Sequence, residues 1–266
     1  MQSASSFFKG RVSFQADFSE VEFEPIEVSP PFDGVARATI RSSSSEGIFL
    51  EVEISRADTF DSAIAKAQEV AKYLAKVVTF KFGVFQKEFR YVSSSLSEEE
   101  TLPDGNTRSI AWCVSRDSSY ASLESWKILG EEQIKDLKGF LEKNNHNSFP
   151  YYDLFYSALG LTDPIAKFMV LYLVVLNLCK TGNRERQEDV DKFVLSIEPQ
   201  VLTFNPFCPR KSCIPETIYT NLRKQVGHAP PNTMIQSTRI QSTREEMEKN
   251  LGGLIKITRE IISRQP

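Results

Sequence analysis

A chain of 266 residues, 41% hydrophobic and 25% charged, has room for one large domain or two ordinary ones. Its composition is that of a globular protein, without collagen-like or disordered bias. A formal net charge of -3 excludes a surface coated in positive charge for non-specific DNA binding, yet the charge is uneven. Residues 1–60 hold ten acidic and five basic side chains, and residues 205–266 hold ten basic and five acidic. An anionic partner is therefore expected at the second stretch rather than the first.

The opening MQSASSFFKGRVSF lacks a basic segment followed by a long apolar run, so no signal peptide is expected. The first half reads as strands around one helix. GVARATIR (34–41) and GIFLEVEISR (47–56) alternate in hydrophobicity, and the SSSSEG tract between them suits a hairpin turn. The period then changes. Ile64, Ala67, Val70, Ala71, Leu74, Val77 and Val78 recur every three or four positions, which predicts one long amphipathic helix. Asp58 or Thr59 can cap it, and Gly83 lies just beyond its end. EFRYVSSS and RSIAWCVSR read as further strands, with LSEEETLPDGN as an acidic, turn-rich loop between them.

From about residue 128 the pattern is helical throughout. EEQIKDLKGFLEKN, FPYYDLFYSALGL, TDPIAKFMVLYLVVLNLCKTG, EDVDKFVLSIEP, PETIYTNLRKQVGH and TREEMEKNLGGLIKITREIISR form six predicted helices. In the third, Thr162 or Asp163 caps, Pro164 sits in the first turn and Gly182 follows the end. Its apolar run 165–179 carries Lys167 and is too short to span a bilayer comfortably, so it reads as a buried helix. Pro215 opens the fifth, and Thr243 with Glu246 forms a capping box in the sixth. Gly252–Gly253 marks a kink or a close approach by another element. The aromatics Tyr151, Tyr152, Phe155 and Tyr156 have the spacing of a core face, with base stacking as the other use of such a group.

Four cysteines, at 113, 179, 208 and 213, suit free thiols in a reducing cytoplasm. Cys208 and Cys213 form a C-x4-C without a second pair, so neither a metal nor a cofactor is expected. The chain has no P-loop, dinucleotide fingerprint, zincin helix or Gly-x-Ser-x-Gly elbow. Only two histidines are present, His146 in a polar turn and His228.

His228 carries the chemical interest. On the fifth predicted helix Ile214, Ile218, Leu222 and Val226 form an apolar stripe, and Glu216, Tyr219 (or Thr220) and Arg223 lie on a neighbouring face. Five residues rotate about 140° around a regular helix, which would separate Arg223 from His228. Gly227 loosens the last turn and Pro230–Pro231 forbids continuation, so His228 leaves the helical register and the long arginine side chain can reach it.

This half, roughly residues 130–264, resembles HEPN domains, whose signature is an arginine followed four to six residues later by a histidine near a helix end. Here the signature is Arg223–Lys224–Gln225–Val226–Gly227–His228. With a mixed module before it, the chain resembles the Apea-like subgroup, including methylamine-utilisation accessory proteins of the MauJ type. It departs from many active members in having Lys224 directly after the arginine, and Pro230 where a variant signature has tyrosine. The resemblance implies an α+β module over residues 1–125 followed by an all-α bundle over 128–264. It implies a homodimer through the helical half and metal-independent RNA cleavage with Arg223 and His228 catalytic. Lys224, Tyr219 and Glu216 would then contact the RNA or nucleotide ligand. The alternative is a non-catalytic interaction or nucleic-acid-binding accessory protein.

Overall fold

The computed structural model describes residues 6–16, 21–43, 47–83, 88–102, 106–115, 127–128, 130–142, 149–180, 186–204, 214–227 and 237–265. The chain divides into two compact units, Met1–Asn144 and Asn145–Pro266.

The first unit is a sheet with helices on one face. Its strands are β1 (Ser6–Ala16), β2 (Val21–Val28), β3 (Val35–Ser43), β4 (Gly47–Ala57), β5 (Arg90–Thr101), β6 (Thr107–Ser115) and β7 (Lys127–Ile128). They lie in the order β6-β5-β1-β4-β3-β2-β7, antiparallel except for the short parallel pair of β7 with β2. Along β4 the side chains of Ile48, Leu50, Val52 and Ile54 are buried while Glu51 is exposed, the period-2 pattern of a half-buried strand. Helix α1 (Phe60–Phe82) covers the apolar face with Ala63, Ala67, Val70, Ala71 and Leu74, and the small residues allow close approach. The opposite face is polar, with Lys9 paired to Glu99 at 2.6 Å and Arg37 to Glu53 at 2.5 Å.

Of the two caps open for α1, Thr59 is used. Its side chain accepts from the Ser62 amide at 3.0 Å, and the Ser62 hydroxyl oxygen accepts from the Thr59 amide at 3.0 Å. Gly83 closes the helix in the left-handed conformation, φ 70°, its N–H donating to the Thr79 carbonyl at 2.8 Å. Helix α2 (Glu131–Glu142), which the sequence pattern assigns to the helical half, belongs to this first unit. The Tyr73 hydroxyl donates to the Leu141 carbonyl at 3.1 Å, Phe80 stacks on Phe140 at 5.5 Å, and Lys81 pairs with Asp136. The acidic segment expected as a loop is partly strand: Leu96–Thr101 continue β5 in register with β6, from Leu96 opposite Trp112 to Thr101 opposite Thr107.

The second unit contains α3 (Phe149–Gly160), α4 (Pro164–Leu178), α5 (Gln187–Ile197), β8 (Thr203–Phe204), β9 (Glu216–Thr217), α6 (Ile218–Gly227) and α7 (Ser237–Ser263). Helix α4 is its centre. Phe168, Leu171, Tyr172 and Val175 are fully buried among Phe155, Val190, Val194, Leu222, Leu254 and Ile257. Asp163 rather than Thr162 caps α4, accepting from the Ala166 amide at 2.9 Å, and Pro164 is its first helical residue. Tyr152 and Phe155 are buried, so the core use of that aromatic group is the one observed.

The expectation of an all-α C-terminal half is not met. A two-stranded antiparallel sheet interrupts it, with Thr203 opposite Thr217 and Phe204 opposite Glu216. Pro215 biases Ile214 toward extended backbone, and Thr217 donates its amide to the buried Asp191 carboxylate at 3.0 Å. The helix therefore starts at Ile218, whose N–H donates to the Leu202 carbonyl at 2.9 Å. The sixth predicted helix, by contrast, reaches further back than expected. Helix α7 begins at Ser237, so Thr243 is not a cap but a buried interior residue, donating to the Gln225 side-chain oxygen at 3.1 Å.

Candidate functional site

Along β9 and α6, Ile218, Tyr219 and Leu222 are buried in the second unit, and so are the polar Thr217 and Thr220. Asp191 on α5 gathers the threonines. One carboxylate oxygen accepts from the Thr217 amide at 3.0 Å and from the Thr217 and Thr220 hydroxyls, both at 2.7 Å. The Thr220 proton is thereby committed to Asp191, so the Tyr172 hydroxyl, 2.9 Å away, donates to Thr220. Burial raises the Asp191 carboxyl above its ordinary value, offset in part by the hydrogen bonds from Thr220 and Thr217. Burial likewise pushes the Tyr172 phenol up to about 12, the Asp191 charge adding to the rise and the Arg223 charge opposing it.

Arg223 follows Thr220 by three positions and Tyr219 by four, one turn further along α6. Its Nε is buried without a hydrogen-bond partner, and among the described residues the guanidinium makes no ion pair. Glu216, an available partner for Arg223 by sequence, is held instead by Lys224, whose Nζ donates to it at 2.5 Å. Among the described residues Lys224 is therefore held in an ion pair and Arg223 is not.

Tyr219 faces the interior. It is 3% exposed, stacks on Phe168 with ring centroids 6.4 Å apart, and donates its hydroxyl to Glu198 at 3.2 Å. Burial, then the Glu198 charge, raise its phenol far above the ordinary range. Gly253 on α7 is the close approach that the glycine pair suggests: a Cβ there would lie 2.1 Å from the Tyr219 hydroxyl oxygen. Gly253→Ala is expected to lower stability by about 1–2 kcal/mol, because displacing the hydroxyl breaks its bond to Glu198 and outweighs alanine's better helix propensity. In a Tyr219→Phe background the cost should shrink or reverse. Urea unfolding of the four variants measures this, and an unchanged cost in the phenylalanine background would contradict the contact.

His228 lies outside the described residues, as do His146, Gly182, Cys208, Cys213, Arg210 and Lys211. Of the predicted site, Arg223, Lys224, Glu216 and Tyr219 are thus placed on β9 and α6. Lys224 and Glu216 form a partly exposed pair, Tyr219 is internal, and Arg223 has its Nε enclosed. Sequence reasoning missed Asp191, Thr217 and Tyr172, and named Thr220 only as an alternative to Tyr219 on the face of Arg223. The only signals were an aspartate beside the Val190–Val194 stripe and two threonines three apart.

Among the described residues, no group of three His, Cys, Asp or Glu side chains is placed to hold a metal ion. No described helix is long and apolar enough to cross a membrane. No protein-family model, curated protein or solved structure matches the chain.

Asp191→Ala is expected to destabilise the second unit by at least about 2 kcal/mol, since three buried donor bonds lose their acceptor. Asp191→Asn keeps an acceptor and should cost less. The pH dependence separates charge from shape. Because the folded-state value of Asp191 is raised, its ionisation opposes folding. Relative to Asp191→Asn, the wild type should gain stability as pH falls from neutrality to below about 3.9, the unfolded carboxyl value. Parallel stability–pH curves for the two proteins would contradict a raised value.

Proposed function

We propose that the second unit cleaves RNA without a metal, Arg223 holding the phosphodiester and His228 moving the proton. The observation that supports this most directly is the enclosed, unpartnered Nε of Arg223. A buried donor left unpaired is costly, and a phosphate oxygen is a natural acceptor for a planar guanidinium. The sequence places His228 five residues after Arg223, next to Gly227, the last described residue of α6.

In this reading the His228 imidazole takes the proton of a ribose 2′-hydroxyl. The 2′-oxygen attacks phosphorus, the bond to the 5′-oxygen breaks, and that oxygen takes up a proton. The products are a 2′,3′-cyclic phosphate and a free 5′-hydroxyl. Arg223 stabilises the charge that develops on the non-bridging oxygens. Lys224 reaches a phosphate only after leaving Glu216, so its part is attraction rather than chemistry. Asp191, Thr217 and Thr220 fix the start of α6 and thereby the place of Arg223. Pairing of two such units across a dimer, which the family resemblance implies, would face two motifs into one cleft.

Incubation of the purified chain with single-stranded RNA tests the reading. Cyclic phosphate ends should form in EDTA, and the rate should fall below about pH 6 as the imidazole protonates. Cleavage that requires a divalent ion, or products with 5′-phosphates, would exclude this chemistry.

A further inference from the structure

Strand β6 is the last strand at one edge of the first unit's sheet. All nine of its residues are exposed. Ile110, Trp112 and Val114 share one face, opposite Glu98, Leu96 and Ser94 of β5, and remain 37%, 47% and 43% exposed. Leu96, one strand inward on the same face, is 1% exposed. Trp112 leans on Phe60 of α1, ring centroids 6.4 Å apart, yet among the described residues the apolar face stays largely open along this edge. Natural edge strands are usually guarded by inward charges, proline or brevity. Strand β6 has no proline, and its one charge, Arg108, stands next to its end.

We propose that β6 pairs antiparallel with β6 of a second copy of this chain, centred on Ala111. The strand is nearly palindromic in chemistry about that residue. In this register Thr107 faces the other copy's Ser115, Ser109 faces Cys113, and Ile110 faces Trp112, each twice. Hydroxyl pairs and aromatic–β-branched pairs are the cross-strand combinations that stabilise sheets. Alanine, a small residue, lies on the two-fold axis, where a residue meets itself. Each Arg108 lies beside Val114 of the other copy, so the two arginines stand six residues apart, about 20 Å. The charge arrangement therefore favours a second copy in this register over one sliding Arg108 toward its equivalent. The contact is a strand edge with one apolar stripe, below the about 1,200 Å² of standard stable interfaces, which sets the expected affinity in the micromolar range. It uses the first unit alone and does not depend on the ribonuclease reading.

Disulfide trapping in the 266-residue chain, in a background lacking its four cysteines, reads the register. Ala111→Cys brings two sulfurs together across the axis, at the about 4.5–5.5 Å Cα separation of opposed strand residues, and should give a covalent dimer on mild oxidation. Thr107→Cys leaves the two cysteines eight residues apart, about 26 Å, and should give none. Trp112→Lys, its folding confirmed by circular dichroism, should raise the dissociation constant measured by sedimentation at least tenfold. A chain that stays monomeric at about 100 micromolar overturns the proposal. So does self-association that neither crosslinks at position 111 nor weakens in Trp112→Lys.

Discussion

Arg223→Ala is expected to slow RNA cleavage at least about a hundredfold while the second unit remains folded. Removing one donor to developing oxyanion charge typically costs about a hundred- to a thousandfold in rate. The side chain makes no ion pair among the described residues, so its loss breaks no salt bridge. The Nε it deletes has no hydrogen-bond partner among the described residues, so stability should stay unchanged or improve. The combination of a large activity loss with no stability loss distinguishes a ligand-holding arginine from a structural one. Arg223→Lys should recover only part of the rate, because an ammonium cannot reproduce the planar fork. Lys224→Ala should instead weaken binding with a modest effect on rate, by loss of one phosphate contact. Unfolding of the Arg223→Ala variant would assign the arginine a structural role.

Gly10→Ala is expected to give the largest stability loss of any single-methyl change in the first unit, more than about 3 kcal/mol. Gly10 has φ +140°, at a bulge in β1 between its partners β4 and β5. A Cβ there would meet the Ser95 carbonyl oxygen at 2.2 Å and the Leu96 Cα at 2.9 Å, both backbone atoms of β5. No side-chain rotation relieves such a clash, so β1 or β5 must shift, and the core residues Val12, Phe14 and Leu96 shift with it. Denaturant unfolding followed by circular dichroism measures the change. A loss below about 1 kcal/mol would mean that the bulge repacks without strain.

The same bulge explains why β1 was not legible in the sequence. A strand is recognised by strict alternation, and β1 slips register at Gly10 and again between Ser13 and Phe14. Strand β2 contains Pro25, which argues against a strand until its partners are known. Helix α1 was legible to within a few residues, because local signals at both ends, Thr59 with Ser62 and then Gly83, agree with its apolar period. Helix α4 was legible for the same reason, through Asp163 and Pro164. The first turn of α6 was misread because proline before an apolar stripe reads as a helix start, whereas a carboxylate 26 positions away in sequence holds Thr217 extended. That long-range hydrogen bond is also why the Asp191 network stayed hidden. A buried aspartate becomes visible only once its donors from another element are in place. Arg223 was legible through its spacing to His228, but that Glu216 pairs with Lys224 rather than with Arg223 was not.

The pairing of Arg223 with His228 in one reaction is tested most directly by single-turnover cleavage of a short single-stranded RNA in EDTA, with wild type and His228→Ala side by side. The wild type should yield fragments ending in 2′,3′-cyclic phosphate. His228→Ala should be slower by about a hundred- to ten-thousandfold, the usual cost of losing a general acid–base group. Equal rates in the two proteins, or RNA left intact by the wild type, would contradict the account.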